Sequence, residues 1–317
     1  MFWKMDPDSV HDSARSDKKI ISLGYKKEDE VIVKVEEALK EAASNAGYDL
    51  TVLYSDDSVD VQLGQANSAR KKGIRGILIN LVTPESAPAI LKAAGNMKVI
   101  FIAHAPADMR ILNKNAIYIG ADQSEAGRLQ GEWLANYFKQ RGKTEIRYIL
   151  ISGGEMPVAE ERTQAALKAL ADNGIKAIPA VPPIVANYER EKAKSSLLPI
   201  LKSGVKFDAI IANDDTMALG AIEALEAMGM NPAKTVIVGV DATEDGIRAL
   251  LDGKLAMTVY INRKERAATV IKAMDNMLNS RPFDLGMEGL VNKENPYSIV
   301  FLYEPVTRYQ IPRDLYF

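Results

Sequence analysis

The stretch Ala209-Ile-Ile-Ala-Asn-Asp-Asp-Thr-Met-Ala-Leu-Gly-Ala221 combines an apolar strand, a short acidic turn and the start of a helix. In open α/β sheets, small polar ligands are held at the carboxyl ends of the strands, so the turn at 213–215 occupies a natural binding position. The same arrangement recurs over 236–245, where a second apolar strand ends in Asp241. The sequence therefore predicts two carboxylates at equivalent strand ends in one half of the molecule.

From residue 19 onward, short runs of β-branched and apolar residues alternate with longer amphipathic segments. Strands separated by helices of this length predict right-handed βαβ units and buried parallel sheets. The alternation starts again after Gly120, and two successive α/β sets predict two similar lobes that face each other across a cleft. Three of the predicted elements matter below: a helix over 161–173, a helix over 187–202 and a terminal strand over 298–303.

The composition excludes several classes of protein. A length of 317 residues favours two domains. The formal net charge of −2 provides no concentrated basic surface, so no nucleic-acid partner is expected. The absence of cysteine rules out disulfides, thiolate metal sites and thiol nucleophiles. No apolar run reaches the roughly 18 residues expected of a membrane span.

Residues 1–18 are polar with mixed charges and are predicted to form a disordered leader. They lack the succession of a basic, an apolar and a cleavage segment that is typical of an export signal. An export signal or a lipid-anchor cysteine has therefore been removed or never existed, and the sequence alone does not separate the two.

Several motifs follow one another in an order and at intervals that resemble one protein family. They are Ile77-Leu-Ile-Asn-Leu-Val-Thr-Pro84, Tyr118-Ile-Gly-Ala-Asp-Gln-Ser-Glu-Ala-Gly127, Gln130-Gly131, Glu161-Arg-Thr163, Ile211-Ala-Asn-Asp-Asp-Thr-Met-Ala-Leu-Gly220 and Gly239-Val-Asp241. With these motifs the chain resembles the galactose/glucose-binding proteins of the type I periplasmic sugar-binding family, which serve ABC importers and in some cases chemoreceptors. The resemblance runs from about residue 19 to residue 279.

The resemblance implies an α/β fold of two Rossmann-like lobes joined by a three-crossing hinge, with the ligand trapped when the hinge closes. The crossings are expected near Gly120, near Ile261 and near Glu304. The lobes are then an N-terminal lobe of 19–120 plus 263–304 and a C-terminal lobe of 121–262 plus 305–317.

Binding residues transfer from the family position by position. Asp29 stands in the loop that supplies an acidic hydroxyl acceptor, and Arg162 matches the arginine that donates to ring and hydroxyl oxygens. Tyr188 stands where a stacking tryptophan is expected. Asp214 replaces a family asparagine, whereas Asp241 retains the acidic residue.

Other positions depart from the pattern of the hexose binders. Ala103 and His104 follow the fourth strand where the family has an asparagine, and Asn262 lies one position after a family asparagine. The calcium loop is missing, because 137–144 has no spaced carboxylates. No metal, cofactor or catalytic residue is expected. The candidate ligand-binding residues are Asp29, His104, Arg162, Tyr188, Asp214, Asp241 and Asn262.

The retained side chains suit a polyhydroxylated ligand. Sugar hydroxyls both donate and accept hydrogen bonds, so a matching site needs acceptor-only carboxylates beside a donor-only guanidinium. Three aspartates against one arginine disfavour phosphates and carboxylates as ligands, whereas a cationic ligand stays open.

Each candidate also has a purely structural explanation. Asp214 and Asp241 could cap the helices that follow their strands. Arg162, in the first turn of its predicted helix, could pair with Glu160 or Glu161. The remaining alternatives are a solvated charge for Asp29, helix packing for Tyr188 and a loop position for His104.

Enzymatic and regulatory functions find little support in the sequence. It has no nucleophile elbow, P-loop, His-Glu-x-x-His or dinucleotide motif. Paired acids could serve a glycosidase, but nothing in the sequence indicates that one of them is held protonated. A sugar-responsive repressor would need a helix-turn-helix domain of roughly fifty to sixty residues ahead of the first strand.

We therefore expect an extracytoplasmic solute-binding protein that captures a glucose- or galactose-like hexose by lobe closure, without chemistry, for the membrane permease of an ABC importer. Its expected location is periplasmic or extracellular, with a lipid anchor in the native precursor as an option. The alternatives are a sensing partner of a chemoreceptor or sensor kinase, and a binder of a different polyol or of a small amine.

Overall fold

Two sets of parallel strands organise the chain in the computed structural model, which describes residues 18–26 and 30–315. The chain divides into a first unit, Met1–Ala121 with Asn262–Phe301, and a second unit, Asp122–Ile261 with Leu302–Phe317. The predicted leader, apart from Lys18, and the candidate Asp29 lie outside the described residues.

The first unit is built on a six-stranded sheet in which every strand pair is parallel. Its strands are β1 (Lys19–Gly24), β2 (Asp49–Tyr54), β3 (Gly76–Ile79), β4 (Lys98–Ile102), β5 (Ala116–Ala121) and β12 (Ser298–Phe301). Its helices are α1 (Glu30–Asn45), α2 (Val59–Lys71), α3 (Ala87–Ala94) and α9 (Arg263–Leu278). The strand order is β12-β5-β4-β3-β1-β2.

Both faces of this sheet are buried. Ile20, Leu78 and Ile100 pack into a core shared with α1 and α9. Alternate residues such as Ile77 and Phe101 point into a second core, shared with α2 and α3. Because neighbouring side chains of a strand point to opposite faces, a sheet covered on both sides requires continuous apolar runs, as the sequence has.

The second unit contains a five-stranded parallel sheet and a separate two-stranded antiparallel sheet. The parallel strands are β6 (Glu145–Ser152), β7 (Lys176–Pro179), β8 (Ile184–Val185), β9 (Ala209–Ala212) and β10 (Val236–Val238). The helices are α4 (Gln123–Lys139), α5 (Pro157–Asp172), α6 (Arg190–Lys202), α7 (Asp215–Ala227) and α8 (Glu244–Leu251). The antiparallel pair is β11 (Thr258–Tyr260) with β13 (Glu304–Val306).

Two glycines allow α4 and α5 to pack closely. A Cβ atom at Gly127 would lie 1.9 Å from the carbonyl oxygen of Arg162, and one at Gly131 would lie 2.2 Å from that of Ala166. The buried side chain of Gln130, between these glycines, donates from Nε2 to the carbonyl oxygens of Ala212 (2.9 Å) and Gly239 (3.0 Å). Helix α4 thereby ties together the ends of β9 and β10.

The α/β class with parallel sheets is confirmed, but several boundaries differ from the prediction. Helix α5 begins at Pro157 rather than at 161, because proline suits the first helical position. Helix α6 begins at Arg190 rather than at 187, because Asn187 and Tyr188 have positive φ angles of 52° and 62°. The short strand β8 was not predicted.

The terminal strand also differs from the prediction. It ends at Phe301, and the chain then forms β13, which pairs with β11 of the second unit. The chain passes between the units after Ala121, Ile261 and Phe301. Among the described residues, no helix combines the length and apolarity needed to cross a membrane.

Candidate ligand-binding site

Asp214 and Asp241 follow two adjacent parallel strands of the second unit at the same offset. Ala209 pairs with Val236, and each aspartate lies five residues beyond its member of that pair. The two carboxylates therefore stand at equivalent positions along the carboxyl edge of the sheet, as the repeated strand-turn pattern indicates.

The two aspartates have different backbone roles. Asp214 is buried (4% exposed) and caps α7, since its Oδ1 accepts a hydrogen bond from the Met217 amide at 2.8 Å. Asp241 does not cap α8, whose N-cap is Thr243. It lies in a turn with φ of 103° and donates its amide to the Val259 carbonyl oxygen at 2.8 Å. The capping explanation thus applies to Asp214 and not to Asp241.

Arg162 is buried (6% exposed) in the second turn of α5. Its Nε and Nη2 donate to Oε1 of Gln123 at 3.1 and 2.8 Å, and Nη1 donates to the Asn213 carbonyl oxygen at 2.6 Å. Nη2 also lies 3.7 Å from Oδ1 of Asp241. The guanidinium is held by these groups and not by the adjacent glutamates that the sequence offered as partners.

The charge of Arg162 is maintained despite its burial. Desolvation opposes the charged form, but the carboxylate of Asp241, together with Tyr303, Tyr188 and Asp214, raises the pKa of the guanidinium above its ordinary value. A permanent cation is thus enclosed next to two carboxylates, which is the mixture of donors and acceptors that hydroxyl groups require.

Further polar side chains support this arrangement. The Tyr303 hydroxyl donates to Oε1 of Gln123 at 3.2 Å. The Asn213 side chain accepts from the Gly153 amide and donates to Oγ1 of Thr163, both at 3.0 Å. These bonds connect the carboxyl ends of β6 and β9 with each other and with α5, and they connect the start of α4 with Tyr303. The partners of Arg162 are therefore themselves held in place.

Tyr188 lies in the loop before α6 rather than in a helix, and it packs against the core that contains Ala193 and Leu197 of α6. Its half-buried ring covers Gly153 so closely that a Cβ atom there would lie 2.1 Å from Cζ. Gly153 directly follows β6, so Tyr188 joins Arg162, Asp214 and Asp241 along the carboxyl edge of the second unit's sheet.

The second acid of the turn at 213–215, Asp215, has a different environment from its neighbour Asp214. Its side chain is fully buried (0% exposed) and accepts hydrogen bonds from Oγ1 of Thr258 (2.7 Å) and from the Thr243 amide (2.9 Å). Burial raises the pKa of Asp215 well above its ordinary value, and the carboxylates of Asp241 and Asp214 raise it further. Asp215 is therefore a support of the turn rather than a ligand-contacting group.

The first unit carries two of the other candidates. His104 follows β4, its Nδ1 lies 2.8 Å from the Leu81 carbonyl oxygen, and its ring stacks on Tyr25 with 5.2 Å between centroids. Asn262 caps α9, since its Oδ1 accepts from the Glu265 amide at 3.0 Å. Each of these residues has a defined local structural role.

Asn80 is a further candidate in the first unit, at the carboxyl end of β3. Its side chain is buried, and Oδ1 has no hydrogen-bond partner within the part of the chain that the structure describes. A buried acceptor without a donor costs about 1–3 kcal/mol, and a ligand hydroxyl would relieve that cost.

A family model described as a periplasmic binding protein domain matches residues 20–282. The chain belongs to the periplasmic binding protein family.

This periplasmic binding protein is similar to curated sugar-binding proteins over most of its length. It is 30% identical over 254 residues to the D-galactose/methyl-galactoside binding periplasmic protein of Haemophilus influenzae, and the matched region covers 76% of each chain. It is 26% identical over 247 residues to a ribose import binding protein of Salmonella typhimurium, covering 78% of this chain and 80% of the relative. These relatives confirm the resemblance to the type I sugar-binding proteins.

Solved structures agree on the fold. An ABC transporter solute binding protein from Bacillus halodurans C-125 with bound myo-inositol has a TM-score of 0.75 at 24% identity, covering 93% of this chain and 96% of that one. The family implies a periplasmic location and a solute-binding function without catalysis. The expectation that this periplasmic binding protein is not an enzyme is thereby confirmed.

Three further candidate residues were not predicted from the sequence. Gln123 and Tyr303 are separated by 180 residues and meet only in the folded chain. Asn80 lies within the quoted motif at 77–84, and its position at a strand end was the available signal. In the described part of this periplasmic binding protein, no group of three or more histidine, aspartate or glutamate side chains is placed to hold a metal ion.

Proposed function

We propose that the protein captures a monosaccharide or a closely related polyol in the periplasm by closure of its two units and delivers it to the permease of an ABC importer. A glucose- or galactose-like hexose is the ligand we expect first. The observation that carries this proposal is the buried Arg162 beside the carboxylate of Asp241, with Asp214 at the equivalent end of the adjacent strand.

The chemistry of these groups favours a neutral ligand with several hydroxyls. A guanidinium can only donate and a carboxylate can only accept, while each hydroxyl does both, so adjacent hydroxyls can bridge the two kinds of group. Closure removes these groups from water, and a hydroxyl of wrong stereochemistry would leave one of them unpaired, at a cost of about 1–3 kcal/mol. Discrimination among stereoisomers follows from that cost.

The relatives support a polyol and leave the choice among polyols to experiment. Their names include D-galactose and ribose, and the similar solved structure contains myo-inositol. All three ligands present a ring with neighbouring hydroxyls. An affinity in the micromolar range would correspond to about −8 kcal/mol, which a few charge-assisted hydrogen bonds can provide after the cost of closure.

Isothermal titration calorimetry over hexoses, pentoses, inositols and small amines tests the proposal. We expect the tightest binding for a hexose and a loss of most of that binding in Asp241→Ala, with the fold preserved in circular dichroism. If a pentose or an inositol binds most tightly instead, the expected hexose is wrong, but the assignment of a polyol ligand stands. A panel in which only amines bind would overturn the assignment.

The delivery partner can be tested separately. We propose an ABC permease as the partner because a relative in this family is a ribose import binding protein. A chemoreceptor or a sensor kinase would use the same ligand-bound form, and a lipid anchor in the native precursor would keep the protein near either partner. Ligand-dependent stimulation of ATP hydrolysis by a reconstituted permease would support import, and stimulation of kinase signalling alone would support sensing.

A further inference from the structure

Asp215 is connected to the turn that carries Asp241 by three hydrogen bonds. Its Oδ2 accepts from the Thr243 amide at 2.9 Å and from Oγ1 of Thr243 at 3.4 Å, and its own amide donates to the Val240 carbonyl oxygen at 2.8 Å. The residues on both sides of Asp241 and Ala242 are thus bonded to this one buried residue.

A second connection runs through Thr258 of β11. The Thr258 hydroxyl donates to Oδ1 of Asp215 at 2.7 Å and accepts from the Ala242 amide at 3.2 Å. Asp215 and Thr258 together therefore bond to the turn at Val240, Ala242 and Thr243, while Asp241 itself is held by the neighbouring strand.

The turn needs this support because of its backbone conformation. Asp241 and Ala242 have φ angles of 103° and 46°, in a region that residues with a Cβ rarely adopt and that costs of the order of 1–3 kcal/mol for each such residue. Such a conformation persists only where the surrounding structure imposes it. The bonds of Asp215 and Thr258 to the turn, together with the bond from the Asp241 amide to Val259, impose it.

The space around Asp215 is fitted to its carboxyl group. A Cβ atom at Gly239 would lie 2.2 Å from Oδ1, and one at Gly246 would lie 2.3 Å from Oδ2. Both glycines flank the turn, one before it and one after it. A longer side chain at position 215 would push these backbone segments apart and move the turn.

We infer that Asp215 is a positioning residue that holds Asp241 in its ligand-binding orientation, an inference that rests on the proposed function. The network also extends to β11, three residues before the chain passes from Ile261 into the first unit. Asp215 therefore links the orientation of a ligand-binding carboxylate to a strand that leads out of the second unit.

Two conservative variants test the inference. Asp215→Asn keeps the volume but leaves one carbonyl oxygen where the carboxylate accepts from three donors, so contacts to the turn are lost. Thr258→Val keeps the shape but removes the hydroxyl between Asp215 and Ala242. We expect each variant to raise the Kd of the best polyol of the calorimetric panel about tenfold or more, since one displaced hydrogen bond is of that order. Leu225→Ala, in the same helix and equally buried, should lower Tm and leave Kd unchanged.

Hydrogen exchange of the Ala242 and Thr243 amides provides a second readout that needs no ligand. Faster exchange of these amides in Asp215→Asn and Thr258→Val, with wild-type exchange in Leu225→Ala, would support the positioning role. Wild-type Kd and wild-type exchange at the turn, with only Tm lowered, would overturn it. If Asp215→Asn does not fold, Thr258→Val decides by itself.

The same experiments separate this inference from the proposed function. If the wild-type protein binds no polyol, the proposed function fails, and the exchange measurement still decides whether Asp215 fixes the turn. If the wild type binds a polyol but both variants bind it equally well, the proposed function stands and the inference is overturned.

Discussion

Arg162 and Asp241 form a largely enclosed ion pair, with Nη2 of the arginine 3.7 Å from Oδ1 of the aspartate. The pair joins a helix residue to a strand-end turn almost 80 residues later in the chain. The shorter bonds of Arg162 go to Gln123 and Asn213 and fix the plane of the guanidinium. Its orientation toward Asp241 therefore depends on the planar, forked shape of arginine.

Replacing Arg162 by lysine should keep the positive charge at this position while removing the hydrogen-bond geometry of the guanidinium. Lysine keeps the cation but cannot bond to Gln123 and Asn213 while lying next to Asp241. We expect the Kd of the best polyol to rise about 100-fold, equivalent to about 2.7 kcal/mol, in calorimetric titrations. Glu161→Gln, at the adjacent position, is the control and should bind normally. Loss of binding in that control would favour the glutamate pairing that the structure does not contain.

Glu36 should make the stability of the first unit depend on pH. Its carboxyl group is 3% exposed, Oε1 accepts from the Ser22 hydroxyl at 2.8 Å, and burial raises its pKa from 4.5 to about 7, although Ser22 and Lys40 oppose the shift. Because the folded state favours the protonated form, the associated stability is fully present below pH 4.5 and is lost as the pH rises through 7. The total is about 3 kcal/mol.

Glu36→Gln, which stays neutral, should abolish that dependence. In urea unfolding followed by circular dichroism, we expect the variant to exceed the wild type by up to about 3 kcal/mol at pH 8 and to show no such gain at pH 4.5. Glu37→Gln is the matched control, since Glu37 is 58% exposed and pairs with Lys34. An equal gain at both pH values would exclude titration of Glu36 as the cause.

Gly127→Ala should force α4 and α5 apart. The new Cβ atom would meet the Arg162 carbonyl oxygen at 1.9 Å, and backbone cannot rotate away as a side chain can. We expect a loss of about 3 kcal/mol in the free energy of unfolding and weaker ligand binding, because Arg162 moves with its carbonyl. Gly64→Ala in α2, where nothing lies within 4 Å, should instead stabilise by about 0.8 kcal/mol. If both variants changed the free energy of unfolding in the same direction, the close approach of α4 and α5 at Gly127 would be contradicted.

Asn80→Ala should affect binding more than folding. Its buried Oδ1 makes no hydrogen bond among the described residues, so its removal breaks no such bond in the ligand-free protein. We expect the Kd of the best polyol to rise about tenfold while Tm changes little. Calorimetry and thermal melts with and without ligand measure the two effects. An unchanged Kd would remove Asn80 from the candidate site.

The sequence predicted the sheets well because burial on both faces requires continuous apolar runs such as the one at β3. It also predicted that Asp214 and Asp241 occupy equivalent strand ends. It could not predict that α6 begins after Tyr188, because the φ angles of 187 and 188 depend on packing around Gly153.

The remaining errors concern environment rather than position. Asp214 and Asp215 are identical neighbours in sequence, and their different partners appear only in the fold, where Gly239, Gly246, Thr243 and Thr258 surround the carboxyl group of Asp215. Tyr303 reaches Gln123 through β13, a strand whose partner β11 lies over 40 residues earlier, so no local pattern reveals the contact.

The amide of Gln130 has a consequence for how specificity can change in descendants of this protein. Its Nε2 donates to the carbonyl oxygens of both Ala212 and Gly239, and these two bonds hold the ends of β9 and β10 at a fixed spacing. Exchanging the side chain at 241, which caps no helix, therefore alters the chemistry offered to a ligand while the two strand ends keep their spacing. Ligand specificity can therefore be changed by point substitutions, as the design of a biosensor for a new analyte requires.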